Sequence, residues 1–460
     1  MKRKSFKSIS SLETGARWRL YQRRLQQRKT VRPALKVLFL LVVLLGAAYG
    51  LVDAIGGDSF SFFSTGSHAP LATSKRVPAR EAMPAWGKED VRQLLDGNLP
   101  LNLRKRRFSV VQDGTPLHVE TTLDMQLQRT LLDALNTAHA RYIGIVAMNP
   151  ANGSILAMVS YDKDDPTHNT TINSAFPAAS IFKIVTAVAA IQEHGYHPDQ
   201  AVYYNGRKYT LYKSQLKERR TRWTRKTSFR ESFGLSINPV FGKIGAGLLG
   251  KPILESYART FGFNEPIDFE APVSMSRIVV EDDPYQWAEI ASGFNRTTRI
   301  SPLHAAVIGA SIVNGGLLVE PTMVARITDG ENRLLYHHQA RTVRSVMSRE
   351  ATTKMQRLMA ETIRSGTCRK TFRGYRKDPV LSQLELGGKT GSISNGDHDA
   401  RFDWFVGFAV EKRGDVQMVL SIVVAHEDYI GVRASQYARE AFKQYFQEVF
   451  AQRKGRESQG

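Results

Sequence analysis

Three short stretches of this chain carry the residue types of acyl-transfer chemistry. The first is Ser180-Ile181-Phe182-Lys183. On a helix, residues three apart share a face, so the Lys183 amine would lie beside the Ser180 hydroxyl. An uncharged amine there can take the hydroxyl proton and leave a strong oxygen nucleophile. Burial and neighbouring cations both favour that uncharged form. A helix start would also set the serine among unpaired backbone N–H groups at the positive end of the dipole. The second stretch is Ser236-Ile237-Asn238. Its hydroxyl could relay a proton to a leaving group, and its amide could hold a substrate carbonyl. The third is Lys389-Thr390-Gly391-Ser392, within GGKTGSIS. It offers one cation and two hydroxyls to a carboxylate, and its glycines let another backbone come close. A peptide could lie beside it as an added strand. The N–H groups of Ser180 and Ser392 would then form an oxyanion hole.

These motifs differ in specificity. About two S-x-x-K matches are expected by chance in a chain of this length. A second one, Ser214-Gln215-Leu216-Lys217, lies in a polar, basic stretch and is set aside. The first is distinguished by the preceding Phe176-Pro177 and the apolar run that follows. Taken alone, the first two motifs would also suit ordinary helix caps. The third is rarer, with on the order of 0.1 chance occurrences.

The elements that must position these groups can be read from periodicity. Leu123, Leu127, Leu131 and Leu135 recur every four residues and predict an amphipathic helix. Residues 142–148 and 155–160 flank Asn152-Gly153 and predict a β-hairpin. From Ser180 the spacing predicts an almost wholly apolar helix ending at Gly195, buried mid-domain. Residues 384–394, 404–410 and 416–425 read as strands, and 435–451 as a closing helix. Strand pair, helices, three strands and helix predict an α+β fold. In it an antiparallel sheet is flanked by helices, with a helical subdomain inserted between its halves.

The 460 residues are 42% hydrophobic, too apolar for a disordered chain, with a net charge of +21. Residues 1–36 hold twelve Lys or Arg against Glu13 alone. The uncharged run 37–52 follows. Sixteen residues are short beside the roughly 20 of a usual span, but Lys36 can snorkel and apolar neighbours extend the run. The long basic leader favours an uncleaved anchor with its positive end inside. We therefore expect a cytoplasmic tail at 1–33, a transmembrane helix at 34–55 and a linker with a juxtamembrane piece at 56–114. A catalytic domain at 115–452 and a flexible tail at 453–460 would follow. The single cysteine, Cys368, excludes an internal disulfide and reads as a structural thiol. Residues 207–230 hold ten Lys or Arg with one acid, interleaved with Tyr209, Tyr212 and Trp223, and read as a solvated surface insertion. Asp397-His398-Asp399 reads as a polar turn and His337-His338 as surface, with no zinc-ligand spacing.

S-x-x-K, S-x-N and K-T-G in this order resemble the motif set of penicillin-binding proteins and class A β-lactamases. The resemblance to the penicillin-binding transpeptidase domain runs from about Thr115 to Ala451. It includes Thr121-Thr122-Leu123-Asp124, Ala291-Ser292-Gly293, Ser301-Pro302-Leu303, Asn314-Gly315-Gly316 and Asp403-Trp404-Phe405-Val406-Gly407-Phe408. It implies Ser180 as acylated nucleophile, Lys183 as its base, Ser236 as proton relay and Asn238 as substrate ligand. Lys389, Thr390, Gly391 and Ser392 would receive the terminal carboxylate of a D-alanyl-D-alanine stem peptide, or of a β-lactam that mimics it. It implies no cofactor and no metal. Implied partners are peptidoglycan stem peptides, the lipid-linked precursor, β-lactams and the bacterial plasma membrane, with acidic wall polymers or wall-synthesis proteins as further candidates and nucleic acid excluded. The catalytic domain would face outward on a single-pass anchor, as a minimal, monofunctional form. A D,D-carboxypeptidase, or a penicillin sensor or scaffold without turnover, stays open. A β-lactamase is disfavoured by Ile237, where class A enzymes carry an acid, and by the lack of an E-x-x-L-N run. Ala179 and Ile181 depart from the family's usual glycine and threonine without removing a catalytic group.

Overall fold

The computed structural model describes residues 86–97, 99–395 and 400–457. The expected tail, anchor and most of the linker lie outside these residues, as does the Asp397-His398-Asp399 turn. Among the described residues no helix is long and apolar enough to cross a membrane.

The central element is a five-stranded antiparallel sheet. Its strands are β1 (Ala140–Met148), β2 (Ile155–Asp162), β3 (Leu384–Ser394), β4 (Arg401–Glu411) and β5 (Gln417–His426), in spatial order β3-β4-β5-β1-β2. Every neighbouring pair is antiparallel. Both faces are covered, which explains why β5 reads as a near-continuous apolar run and not as an alternation. Successive residues of β1 and β4 point to opposite cores. Val146, Trp404 and Val406 join one core, and Ile145, Phe405 and Ala409 the other. Over the second core lie α1 (Met125–Asp133) and the C-terminal helix Ala434–Glu457. Asp124 caps α1 by accepting from the N–H groups of Gln126 and Leu127.

Over the first core lies α2 (Lys183–His194), buried along nearly its whole length. It stops at Gly195, whose φ of 63° puts the chain in the left-handed region that favours glycine. The helix does not start at the serine, as the sequence suggested. Ser180 sits on a preceding 3₁₀ turn, Ala179–Phe182. That turn is fixed from upstream. Phe176–Pro177 pairs with Arg299–Ile300, and the Ala178 N–H donates to Thr298 O at 2.9 Å. The buried Trp404 ring packs edge-on to Phe176 and donates Nε1–H to Pro177 O at 2.9 Å. The subdomain between β2 and β3 contributes α3 (Asn238–Ile244) and helix Pro284–Ser292, with Phe229 and Phe233 packed against Phe241 of α3.

Ordered elements precede Thr115, where the sequence reading began the fold. Helix Lys88–Leu95 packs on a four-stranded sheet made of Arg107–Gln112, Thr115–Thr121, Val324–Asp329 and Leu334–His337. Strand Arg107–Gln112 is an exposed edge with little apolar alternation, so periodicity could not find it. At the other end the closing helix runs to Glu457, through residues expected to be flexible. Arg453 donates to both carboxylate oxygens of Glu411 and ties this last stretch to β4.

Trp404→Phe keeps an aromatic ring but leaves the Pro177 carbonyl without its buried donor. Urea unfolding should show a loss of about 1–3 kcal/mol. An unchanged midpoint would mean the indole N–H does not hold the serine turn.

Candidate active site

The three motifs meet. Lys183, fully buried on the first turn of α2, brings Nζ to 2.7 Å from Ser180 Oγ. The same nitrogen lies 2.8 Å from Asn238 Oδ1 and in hydrogen-bond contact with the Ser292 carbonyl. Both of these partners are acceptors only. A neutral amine has two N–H groups and one lone pair. It can donate to Asn238 and Ser292 and accept the Ser180 O–H, satisfying every atom. Burial, reinforced by the charge of Lys389, holds Lys183 well below the usual lysine range. The hydroxyl is thereby aimed at a base.

Ser236 was a candidate helix cap, but Ile237 occupies the N-cap of α3 and no side chain caps it. The Ser236 hydroxyl instead accepts from Lys389 Nζ at 2.9 Å. Lys389, also fully buried, donates in addition to Thr390 O at 2.8 Å, and burial brings its amine down to about 7. Both amines lie deep in the site. Ser180 and Thr390 are half-buried and Ser392 is exposed. The hydroxyls therefore form the mouth.

Backbone conformation brings these groups together. Ala179 and Ser236 adopt φ of 48° and 55°, costly for residues with a side chain. Gly293, at φ 62°, could not be replaced. A Cβ there would stand 1.8 Å from Ala179 O. Gly391 is buried, and its missing side chain lets β3 close on the serine turn. A Cβ would meet Ala179 Cβ at 3.2 Å. Thus Gly391 spaces the strand against the turn and presents no side chain to a ligand. β3 is an edge strand of the sheet, paired with β4 alone among the described strands, so an extended ligand has an edge to join.

The discarded Ser214 and Lys217 are both exposed on the surface turn Lys213–Leu216. Cys368 is buried and its thiol is pushed up to about 12, an inert state. Among the described residues no group of His, Cys, Asp and Glu is placed to hold a metal ion.

Comparison with known proteins identifies the family. Residues 143–447 match the family model described as the penicillin binding protein transpeptidase domain. The chain belongs to the penicillin-binding protein transpeptidase family. Stage V sporulation protein D of Bacillus subtilis is 26% identical over 303 residues, covering 62% of this chain and 45% of that protein. Peptidoglycan D,D-transpeptidase PbpA of Mycobacterium tuberculosis is 24% identical over 343 residues, covering 66% of each. The chain spans about half the length of the first curated relatives it matches. The D,D-transpeptidase domain of a peptidoglycan glycosyltransferase from Eggerthella lenta superimposes with a TM-score of 0.59 at 22% identity, over 72% of this chain and 83% of that one. Penicillin-binding protein A of M. tuberculosis, solved as a ceftriaxone acyl-enzyme complex, gives 0.57 at 21%, over 71% and 78%. The α+β transpeptidase fold is thus shared.

Several residues of this site escaped assignment from sequence. The Ser292 carbonyl completes the lysine's contacts, yet a backbone atom leaves only a weak trace, the Ala291-Ser292-Gly293 triplet. The Thr367 hydroxyl lies 2.6 Å from that of Thr390, and Arg401 Nε donates to Ser392 Oγ at 2.9 Å. Thr367 reaches the site because its N–H donates to Gly234 O, just before Ser236. No local motif announces that contact.

The two amines set the pH dependence. On the roles expected from the motifs, acylation needs Lys183 uncharged and gains from Lys389 charged. The second-order acylation constant should therefore fall as pH rises through about 7, where free Lys389 loses its proton. Lys389→Ala should remove that alkaline limb and lower the plateau by about 1.5–3 kcal/mol in activation terms. A limb that persists in the variant would assign it to another group.

Proposed function

We propose that this chain is a peptidoglycan D,D-transpeptidase that works through a Ser180 acyl-enzyme. The observation that carries the reading is the Lys183 amine 2.7 Å from Ser180 Oγ, with its other two contacts on carbonyl acceptors. Lys183 takes the proton as Ser180 Oγ attacks the carbonyl carbon of the penultimate D-alanine. The developing oxyanion faces the N–H groups of Ser180 and Ser392. Ser236, held by Lys389, relays the proton from Lys183 to the departing amide nitrogen, which restores the neutral amine, and D-alanine leaves. Lys389, Thr390 and Ser392 hold the terminal carboxylate, and Asn238 holds the peptide. The amine of a second stem peptide then attacks the ester carbonyl, forms the cross-link and returns the proton to Ser180. A β-lactam enters the same first step. An anchor at 34–55 would keep the domain on the outer face of the plasma membrane, supplied with lipid-linked precursor.

Ser180→Ala should abolish labelling by a fluorescent penicillin, while Ser214→Ala should leave it unchanged. Absence of label on the wild-type chain would leave a scaffold, and a label lost within seconds would indicate hydrolysis. Incubation with lipid-linked precursor should yield cross-linked dimers. Trimmed monomers alone would make the chain a D,D-carboxypeptidase.

A further inference from the structure

Residues 207–226 carry nine Lys or Arg and one acid, Glu218, which pairs with Lys243 outside the segment. The segment lies between two short antiparallel strands, Ala201–Tyr204 and Arg225–Ser228, and has a built structure. The Asn205 amide donates to Arg219 O at 2.9 Å, and its carbonyl accepts from Thr224 Oγ1 at 2.7 Å. Cations sit on rings. Arg220 lies 4.1 Å above the Tyr203 ring, and Arg222 4.8 Å from that of Trp223. Trp223 is 72% exposed, the most open large apolar side chain of this surface. Stacked guanidiniums keep their N–H edges free for bidentate bonds to carboxylates. The open indole face is suited to a sugar ring.

This surface is tied to the catalytic groups. Lys208 O accepts the N–H of Asn238 at 2.7 Å, and Leu211 O accepts from Tyr285 Oη at 2.8 Å. Leu211 also fills the space left open by Gly242 on α3. A chain held on the hairpin would have a fixed relation to the Ser180 cleft.

We propose that this cationic, aromatic hairpin docks an un-cross-linked peptidoglycan strand, a glycan whose stem peptides carry free carboxylates. The inference rests on the transpeptidase reading of the Ser180 site. One stem peptide acylates Ser180, whereas cross-linking requires a second strand held nearby. Regularly spaced carboxylates on a sugar chain match cations interleaved with rings, and charge complementarity also speeds encounter.

The test is fluorescence anisotropy of the full chain in detergent with labelled, un-cross-linked glycan strands bearing intact stem peptides. The triple variant Arg220→Gln, Arg222→Gln, Trp223→Ala should bind about tenfold or more weakly, while acylation by penicillin at Ser180 stays at the wild-type rate. Wild-type protein should lose affinity to a similar degree for strands whose carboxylates have been amidated. That arm does not depend on the folding of any variant. Equal binding of native and amidated strands would overturn the proposal, as would undiminished binding by a variant that still acylates. Binding of DNA or of a phosphate-linked wall polymer as tight as that of the strand would also overturn it, in favour of a general polyanion surface. Failure of penicillin acylation in the wild type would instead contradict the Ser180 chemistry, so the two readings can fail separately.

Discussion

The structure is organised around one buried amine. Lys183 is fully buried, so its nitrogen must be satisfied by partners within the protein. Asn238 Oδ1 and Ser292 O can only accept, so the lone pair of a neutral nitrogen is left for the Ser180 hydroxyl. Three elements must converge for this to happen: α2, α3 and the end of helix Pro284–Ser292. Their convergence accounts for the strained backbone nearby. Ala179 and Ser236 hold positive φ at a cost of about 1–2 kcal/mol each. Gly293 and Gly391 remove the Cβ atoms that would keep the serine turn from its neighbours. Strain of this kind persists where surrounding packing over-determines it, and here the sheet and the aromatic cluster supply that packing.

A second buried amine divides the work. Lys389 and Lys183 both lie in low-dielectric surroundings, and the charge of one disfavours charge on the other. Lys183 is held well below the usual lysine range, while Lys389 comes down to about 7 and can still carry charge when an anionic group enters. Lys389 holds the Ser236 hydroxyl and the Thr390 carbonyl, so the position of that hydroxyl and the form of the strand end depend on one side chain. Two neighbouring amines held in different protonation states are what an acid–base pair needs at neutral pH.

Much of this could be read from the sequence because the relevant signals are local. Apart from β3, the strands of the central sheet are largely apolar runs, and the expected bounds of all five lie within a few residues of those observed. Ser180, Lys183 and Lys389 stand in short motifs whose spacing is itself the geometry. Less could be read where a partner is distant in sequence. The Ser292 carbonyl contributes no side-chain signature, and Thr367 joins Thr390 only because its loop packs on Gly234. The 3₁₀ turn at Ser180 was masked by the apolar composition it shares with α2. Strand Arg107–Gln112 was missed because an exposed edge strand needs no apolar alternation.

The protonation state of Lys183 is the quantity on which this account stands. Lysine-selective ¹³Cε labelling, with Lys183→Met used to assign the resonance, reports it directly by NMR during a pH titration of the apo protein. The account predicts a Lys183 signal already in its neutral-amine position at neutral pH. A resonance that remains ammonium-like and titrates in the ordinary lysine range would contradict it, because Ser180 would then have no base.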